Sequence, residues 1–84
     1  MVKCLILKIG VTLISEISEI GADVGEPDCQ LTNPFKVTDE EELVRWPGVT
    51  DQRRLLMQSD SILTIVDPSN TILDKYNEVI KWEF

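Results

Sequence analysis

The chain has 84 residues, 43% of them hydrophobic and 27% charged, which fits one globular domain and excludes a disordered one. A domain this short buries only a little over ~60% of its unfolded surface, so contact between copies is the expected extra source of stability. The net charge of −7 opposes non-specific nucleic-acid binding, which counterion release from phosphates drives, though it leaves room for a local site on an acidic body.

Val2 to Ile9 is an apolar run with Lys3 and Lys8 near its ends. Leu5, Leu7 and Ile9 fall on one side and Cys4 and Ile6 on the other, so the pattern predicts a strand covered on both faces. Ile9-Gly10-Val11 reads as the hairpin turn, with Gly10 free to take positive φ. Thr12 to Ile20 predicts a longer strand. Leu13 and Ile17 share a face while Ile14 and Ile20 take the other, a switch that asks for a bulge or bend near Ser15. A helix is the rival reading, since Ile14, Ile17 and Ile20 recur at three. The missing caps argue against it.

Residues 21–27 have the composition of a loop. Cys29, Leu31, Asn33, Phe35 and Val37 then alternate with more polar neighbours, the clearest period of two in the chain. Pro34 has no N–H for a ladder, so the third strand needs an edge or a bulge there. Between Asp39 and Asp51 the pattern is irregular. Thr38 with Glu41 predicts a capping box opening one helical turn, the acidic run from Asp39 to Glu42 a solvated loop, and Leu43 to Trp46 a short strand or turn.

Arg53–Met57 and Ser61–Val66 read as two short strands about a tight polar turn, Gln58-Ser59-Asp60. Asp67 then reads as the N-cap and Pro68 as the first residue of a helix over about 68–82. Ile72, Leu73, Tyr76, Val79 and Ile80 form its apolar stripe, and Trp82 and Phe84 add bulk at its end.

Several chemistries find little support. There is no histidine, so a nucleophilic cysteine lacks its usual base, and no enzyme, metal or cofactor is expected. Asp23, Glu26 and Asp28 lie close in sequence, but their spacing is not that of a calcium loop. Two cysteines, Cys4 and Cys29, read as buried free thiols of a reducing compartment. No apolar run approaches the ~20 residues of a membrane span, and no secretory signal is read. The expected location is the cytoplasm, that of the host cell if the chain is phage-encoded. Trp46, before Pro47-Gly48, is expected to pack over the mouth of the core rather than to stack on a base.

Two stretches carry a resemblance. Leu7 to Ile17 looks like an apolar strand, a glycine turn and a bent strand, with Ser15 at the bend. Leu55 to Ile65, followed by Pro68, looks like two short strands flanking a tight turn. Together they resemble the two motifs of the Sm-like (LSm) fold. With Gly10, Asn33-Pro34, Trp46-Pro47 and Tyr76 added, nearly the whole chain is similar to small Sm-like proteins of tailed phages, including marine cyanophages. The resemblance implies a mainly β fold: a small, strongly bent, five-stranded antiparallel barrel with a C-terminal α-helix, one domain over residues 1–84 with strands within about 2–66.

It also implies a homo-oligomeric ring of five to seven subunits, the fourth strand of one copy pairing with the fifth of the next. The candidate interface is Leu55, Leu56 and Met57 against Ile62, Leu63, Thr64 and Ile65. An apolar edge strand is a pairing hazard unless it is used, and a head-to-tail contact that closes makes a ring. The implied ligand is RNA or single-stranded DNA, with Asp23, Arg53, Arg54, Gln58 and Ser59 as candidate contacts. The family's Asp–aromatic–Asn loop keeps only Asp23, and its Arg-Gly turn is replaced by Gln58-Ser59. A ring that binds only other proteins, as a phage-related structural or adaptor module, is the competing expectation.

Overall fold

The computed structural model describes residues 1–83, so the bulk expected of Phe84 lies outside the described residues. It is mainly β, an antiparallel sheet of six strands with one C-terminal helix. β1 (Val2–Leu7) and β2 (Thr12–Glu19) form the first hairpin, with Leu5 opposite Leu13. β1 stops at Leu7, earlier than its hydropathy suggests. The Leu7 N–H reaches Val11 O at 2.8 Å and the Gly10 N–H reaches Leu7 O at 2.9 Å. Gly10 turns the chain at φ 91°, a backbone that costs glycine little.

The bend expected at Ser15 is present, and its partner is the next strand. β3 (Cys29–Val37) pairs with β2 in two registers, Ile14 with Phe35 and Glu16 with Thr32. Asn33 and Pro34 together therefore face Ser15. This is a bulge, with Asn33 at φ 55°, a left-handed conformation that asparagine tolerates better than most residues. Ser15 is fully buried, and its hydroxyl lies 3.0 Å from Thr32 O and 2.8 Å from Glu16 O.

The bulge corrects the expected strand count from five to six. It divides the far edge of β3 in two. β4 (Leu43–Arg45) pairs with Phe35–Val37, and β5 (Arg54–Met57) pairs with Cys29–Thr32. Pro34, which cannot donate, falls between them. The predicted helical turn after Thr38 is instead the β3–β4 turn: Thr38 N–H donates to Glu42 O at 2.9 Å, and its hydroxyl accepts the Glu42 N–H at 3.1 Å.

A single 3₁₀ turn, Ser59–Ser61, joins β5 to β6 (Ile62–Val66). The two strands do not form a hairpin. β5 lies on β3, while β6 lies on β1 at the other margin of the sheet. The sheet curls so that both margins reach one apolar cluster. Leu5, Leu7, Leu13 and Leu31 form its centre, with Leu55 and Met57 added from β5 and Ile62 from β6.

The opposite face is covered by α1 (Asn70–Glu83). Ile72 and Tyr76 join Cys4, Ile14 and Phe35 in a second cluster, flanked by Val79 and Ile80. Fully burying an apolar side chain such as Ile72 or Phe35 contributes about 1.5–3 kcal/mol. The helix begins later than Asp67-Pro68 suggests. Ser69 caps it, accepting the Ile72 N–H on Oγ at 3.3 Å. Asp67 is drawn away by an ion pair with Lys3 on β1.

Candidate functional site

The five residues proposed to meet nucleic acid do not share one place. Gln58 and Ser59 follow β5 and gather the 21–28 loop. Gln58 Nε2 donates to Gly25 O at 2.6 Å. Ser59 donates twice to Asp28, from its backbone N–H to Oδ1 and from its hydroxyl to Oδ2, both at 2.7 Å. These bonds from Ser59, the side-chain one foremost, hold the Asp28 carboxyl below its usual range. Asp23 sits in the same exposed loop, where its carbonyl accepts the Glu26 N–H at 3.0 Å.

Arg53 and Arg54 stand at the other end of β5, roughly 13 Å away by strand rise. The Arg53 carbonyl takes the Asn33 N–H at 2.7 Å, and Arg54 pairs with Thr32. Arg45, the last residue of β4, lies close by and reaches Asp51 O at 3.3 Å. The structure thus divides the candidates into an acidic loop end and an arginine end.

Trp46 lies between these ends. It is half-buried and packs against the cluster that both sheet margins share. Two open grooves meet at it. One, of about 520 Å³, runs past Pro27, Pro47, Gln52 and Leu56. The other, of about 450 Å³, runs past Leu7, Lys8 and Ile9, and Trp46, Met57, Gln58 and Ser61 line both. Sequence patterning missed Asp28 as the partner of Ser59, and Gln52 and Pro27 as groove walls. No local spacing relates these residues.

The proposed interface residues also separate. Leu55, Met57 and Ile62 turn inward to the shared cluster. Leu56 is 59% exposed, Leu63 67% and Ile65 47%, and Thr64 is exposed beside them. Val66, which the sequence reading left out of the set, extends the exposed row.

Burial raises the pKa of both cysteines, and the charges of Asp28 and Glu19 add to the effect at Cys29. Both thiols are free and buried, which makes them poor nucleophiles. Among the described residues no group of three His, Cys, Asp or Glu side chains is placed to hold a metal ion. Asp28, turned toward Ser59, does not share a centre with Asp23 and Glu26. No helix among the described residues is long and apolar enough to cross a membrane.

Residues 1–81 match the model of a family of unknown function, DUF6561, and the chain belongs to that family. No curated protein matches it.

Proposed function

We propose that this member of an uncharacterised family is an Sm-like binding protein that works as a homo-oligomeric ring and handles RNA or single-stranded DNA. The observation that carries the reading is the pair of open sheet margins. β5 pairs only with β3 and β6 only with β1 among the described residues. Each margin therefore presents a row of backbone donors and acceptors beside exposed Leu56, Leu63 and Ile65. Placing β6 of one copy on β5 of the next satisfies both rows, and repeating the contact closes a ring of about five to seven copies. A ring multiplies weak contacts to one strand of nucleic acid. Its residues do binding rather than catalysis, and its reduced, buried thiols suit a cytoplasm.

A second reading, a ring that binds only proteins, is favoured by one observation. Asp28 already takes both donors of Ser59, so the turn that would face a base presents carboxylates.

Light-scattering mass across concentrations tests the assembly. The ring requires a multiple of the 9.6 kDa chain, and a chain that stays single at high concentration overturns it. Fluorescence anisotropy with labelled oligo-U, oligo-A and single-stranded DNA at two salt concentrations tests the ligand. Binding that weakens with salt supports nucleic acid. An intact ring that binds none of them at low salt leaves the protein-binding reading.

A further inference from the structure

The chain is acidic, with a net charge of −7, yet its three arginines come together. The Asn33–Pro34 bulge is the reason. Along one edge of β3, β4 ends at Arg45 opposite Phe35 and β5 begins at Arg54 opposite Thr32. Between them the Arg53 carbonyl binds the bulge N–H. Arg45 and Arg53 line one crevice with Trp46, Pro47 and Gln52. The crevice holds only about 10 Å³, far too little for a base, so a ligand lies across it. The larger groove shares Trp46, Pro47 and Gln52 with this crevice and has no charged residue in its lining.

We infer that single-stranded nucleic acid binds at this arginine end, with a base stacked on Trp46 and phosphates on Arg45 and Arg53, and Arg54 beside them. The inference rests on the nucleic-acid reading above and moves its site away from Asp23, Gln58 and Ser59. An aromatic platform beside cationic side chains is what sequence-tolerant single-strand binders use. Guanidinium groups match phosphate geometry better than ammonium groups do.

Electrostatics separates the two ends. Around Gln58 and Ser59 stand Asp28, Asp60 and the loop that carries Asp23 and Glu26, against Lys8 in the groove that Gln58 and Asp60 line, so a phosphate meets net like charge there. At the arginine end Arg45 Nη1 pairs with the Asp51 carboxylate at 3.9 Å and Nη2 donates to Asp51 O at 3.3 Å, and the Asp51 side chain is fully exposed. Exposed pairs contribute little, so the Asp51 carboxylate is a weak competitor for a phosphate at Arg45.

The test uses the full chain and ten-nucleotide oligo-U and oligo-dT. In Trp82→Phe, Trp46 is the remaining tryptophan, and its emission should be quenched as oligonucleotide is added. Arg53→Gln should flatten the slope of log affinity against log salt by about 1. Trp46→Leu should weaken binding at least about fivefold, the lower bound for losing one stacked base. Because Trp46 also packs against the core, Arg53→Gln and the Trp46 signal keep the test independent of folding. The mass of each variant separates lost contact from lost assembly.

Oligonucleotide binding with no Trp46 quenching and an unchanged salt slope in Arg53→Gln overturns this site and leaves the nucleic-acid reading standing. No binding by the assembled wild type overturns both. Quenching by a proline-rich peptide but not by either oligonucleotide assigns the groove to a protein partner and overturns the inference.

Discussion

Beneath α1 the β3 bulge leaves no acceptor stranded, whereas along β6 four residues in a row, Leu63 to Val66, face solvent. Under the helix, Tyr76 is fully buried and donates its hydroxyl to Asn33 O at 2.9 Å, with Thr32 O at 3.3 Å. Its ring meets Phe35 edge-on at 6.0 Å. No buried side-chain polar atom among the described residues lacks a hydrogen-bond partner. At the β6 margin the chain supplies no such completion, and at the β5 margin it supplies only the Gln52 side-chain amide, which donates to Arg54 O at 2.6 Å among the described residues. One region stabilises the monomer, and the other leaves apolar side chains in solvent, which the proposed ring would cover. In a domain with a thin core this division is expected, because the same apolar residues cannot serve both uses.

Removing the centre of the finished region should have the largest effect. Tyr76→Ala deletes a buried aromatic ring and leaves Asn33 O without the phenol that donates to it, while Thr32 O keeps the Ser15 hydroxyl. Truncating a buried aromatic side chain typically costs about 3–5 kcal/mol, against a whole-domain stability of roughly 5–15 kcal/mol. Urea unfolding should show a midpoint shifted far down or no folded baseline. A midpoint that barely moves would mean that α1 is not integral to the core.

The open region should behave in the reverse way. Leu63→Lys combined with Ile65→Lys places charge where a neighbouring strand would lie. Light scattering should then report a single chain, while circular dichroism keeps the wild-type strand signal. Surface changes of this kind usually alter stability by no more than ~0.5 kcal/mol. Loss of folding would show that the margin belongs to the core, and an unchanged oligomer would place its contact elsewhere.

Replacing only the Tyr76 hydroxyl gives an intermediate effect. Tyr76→Phe keeps the ring and leaves Asn33 O without its donor, a loss of about 1–3 kcal/mol for a buried unsatisfied group. The phenol also links this region to pH. Burial pushes its pKa up to about 12, while an unfolded tyrosine titrates near 10. Folding therefore favours the neutral form. Its contribution is whole below pH ~10 and is lost as pH rises toward ~12. The thiols titrate in the same sense, because burial raises them also, but they are common to both proteins. The stability gap between wild type and Tyr76→Phe should thus narrow between pH ~10 and ~12. A constant gap would mean that the phenol is not held neutral.

Much of this comparison could be read from residues in advance, where the signal was local. Gly10 marks a turn because few other residues take positive φ cheaply. Pro34 marks a break in a ladder because it has no N–H, and Ser15 was placed at the bend through the change of apolar face around it. What escaped was non-local. Nothing near Tyr76 announces that its hydroxyl seals a bulge 43 residues away. Nothing near Asp28 names Ser59, and strand patterning could not tell that Leu55, Met57 and Ile62 turn inward while Leu56 and Leu63 do not. The sixth strand was legible only as a short strand or turn near Leu43 to Trp46. Leu43–Arg45 is too short for a period to decide between them, and it is a strand because the bulge divides its partner's edge.

The smallest effect concerns the start of α1, where two polar residues two positions apart compete for one role. By composition Asp67 is the better cap, since it precedes a proline suited to a first helical turn. Geometry gives the role to Ser69, whose Oγ accepts the Ile72 N–H. Asp67 instead pairs with Lys3, with its side chain 81% exposed. Loss of a capping serine typically costs about 1 kcal/mol, whereas an exposed ion pair is worth roughly 0–1 kcal/mol and fades with salt. Ser69→Ala should therefore lower the urea midpoint more than Asp67→Ala, and only the Asp67 variant's loss should disappear in 0.5 M salt. The reverse order would return the cap to Asp67 and begin the helix one turn earlier. Residues 67–69 would then be part of the region that α1 completes rather than the hinge between it and the open β6 margin.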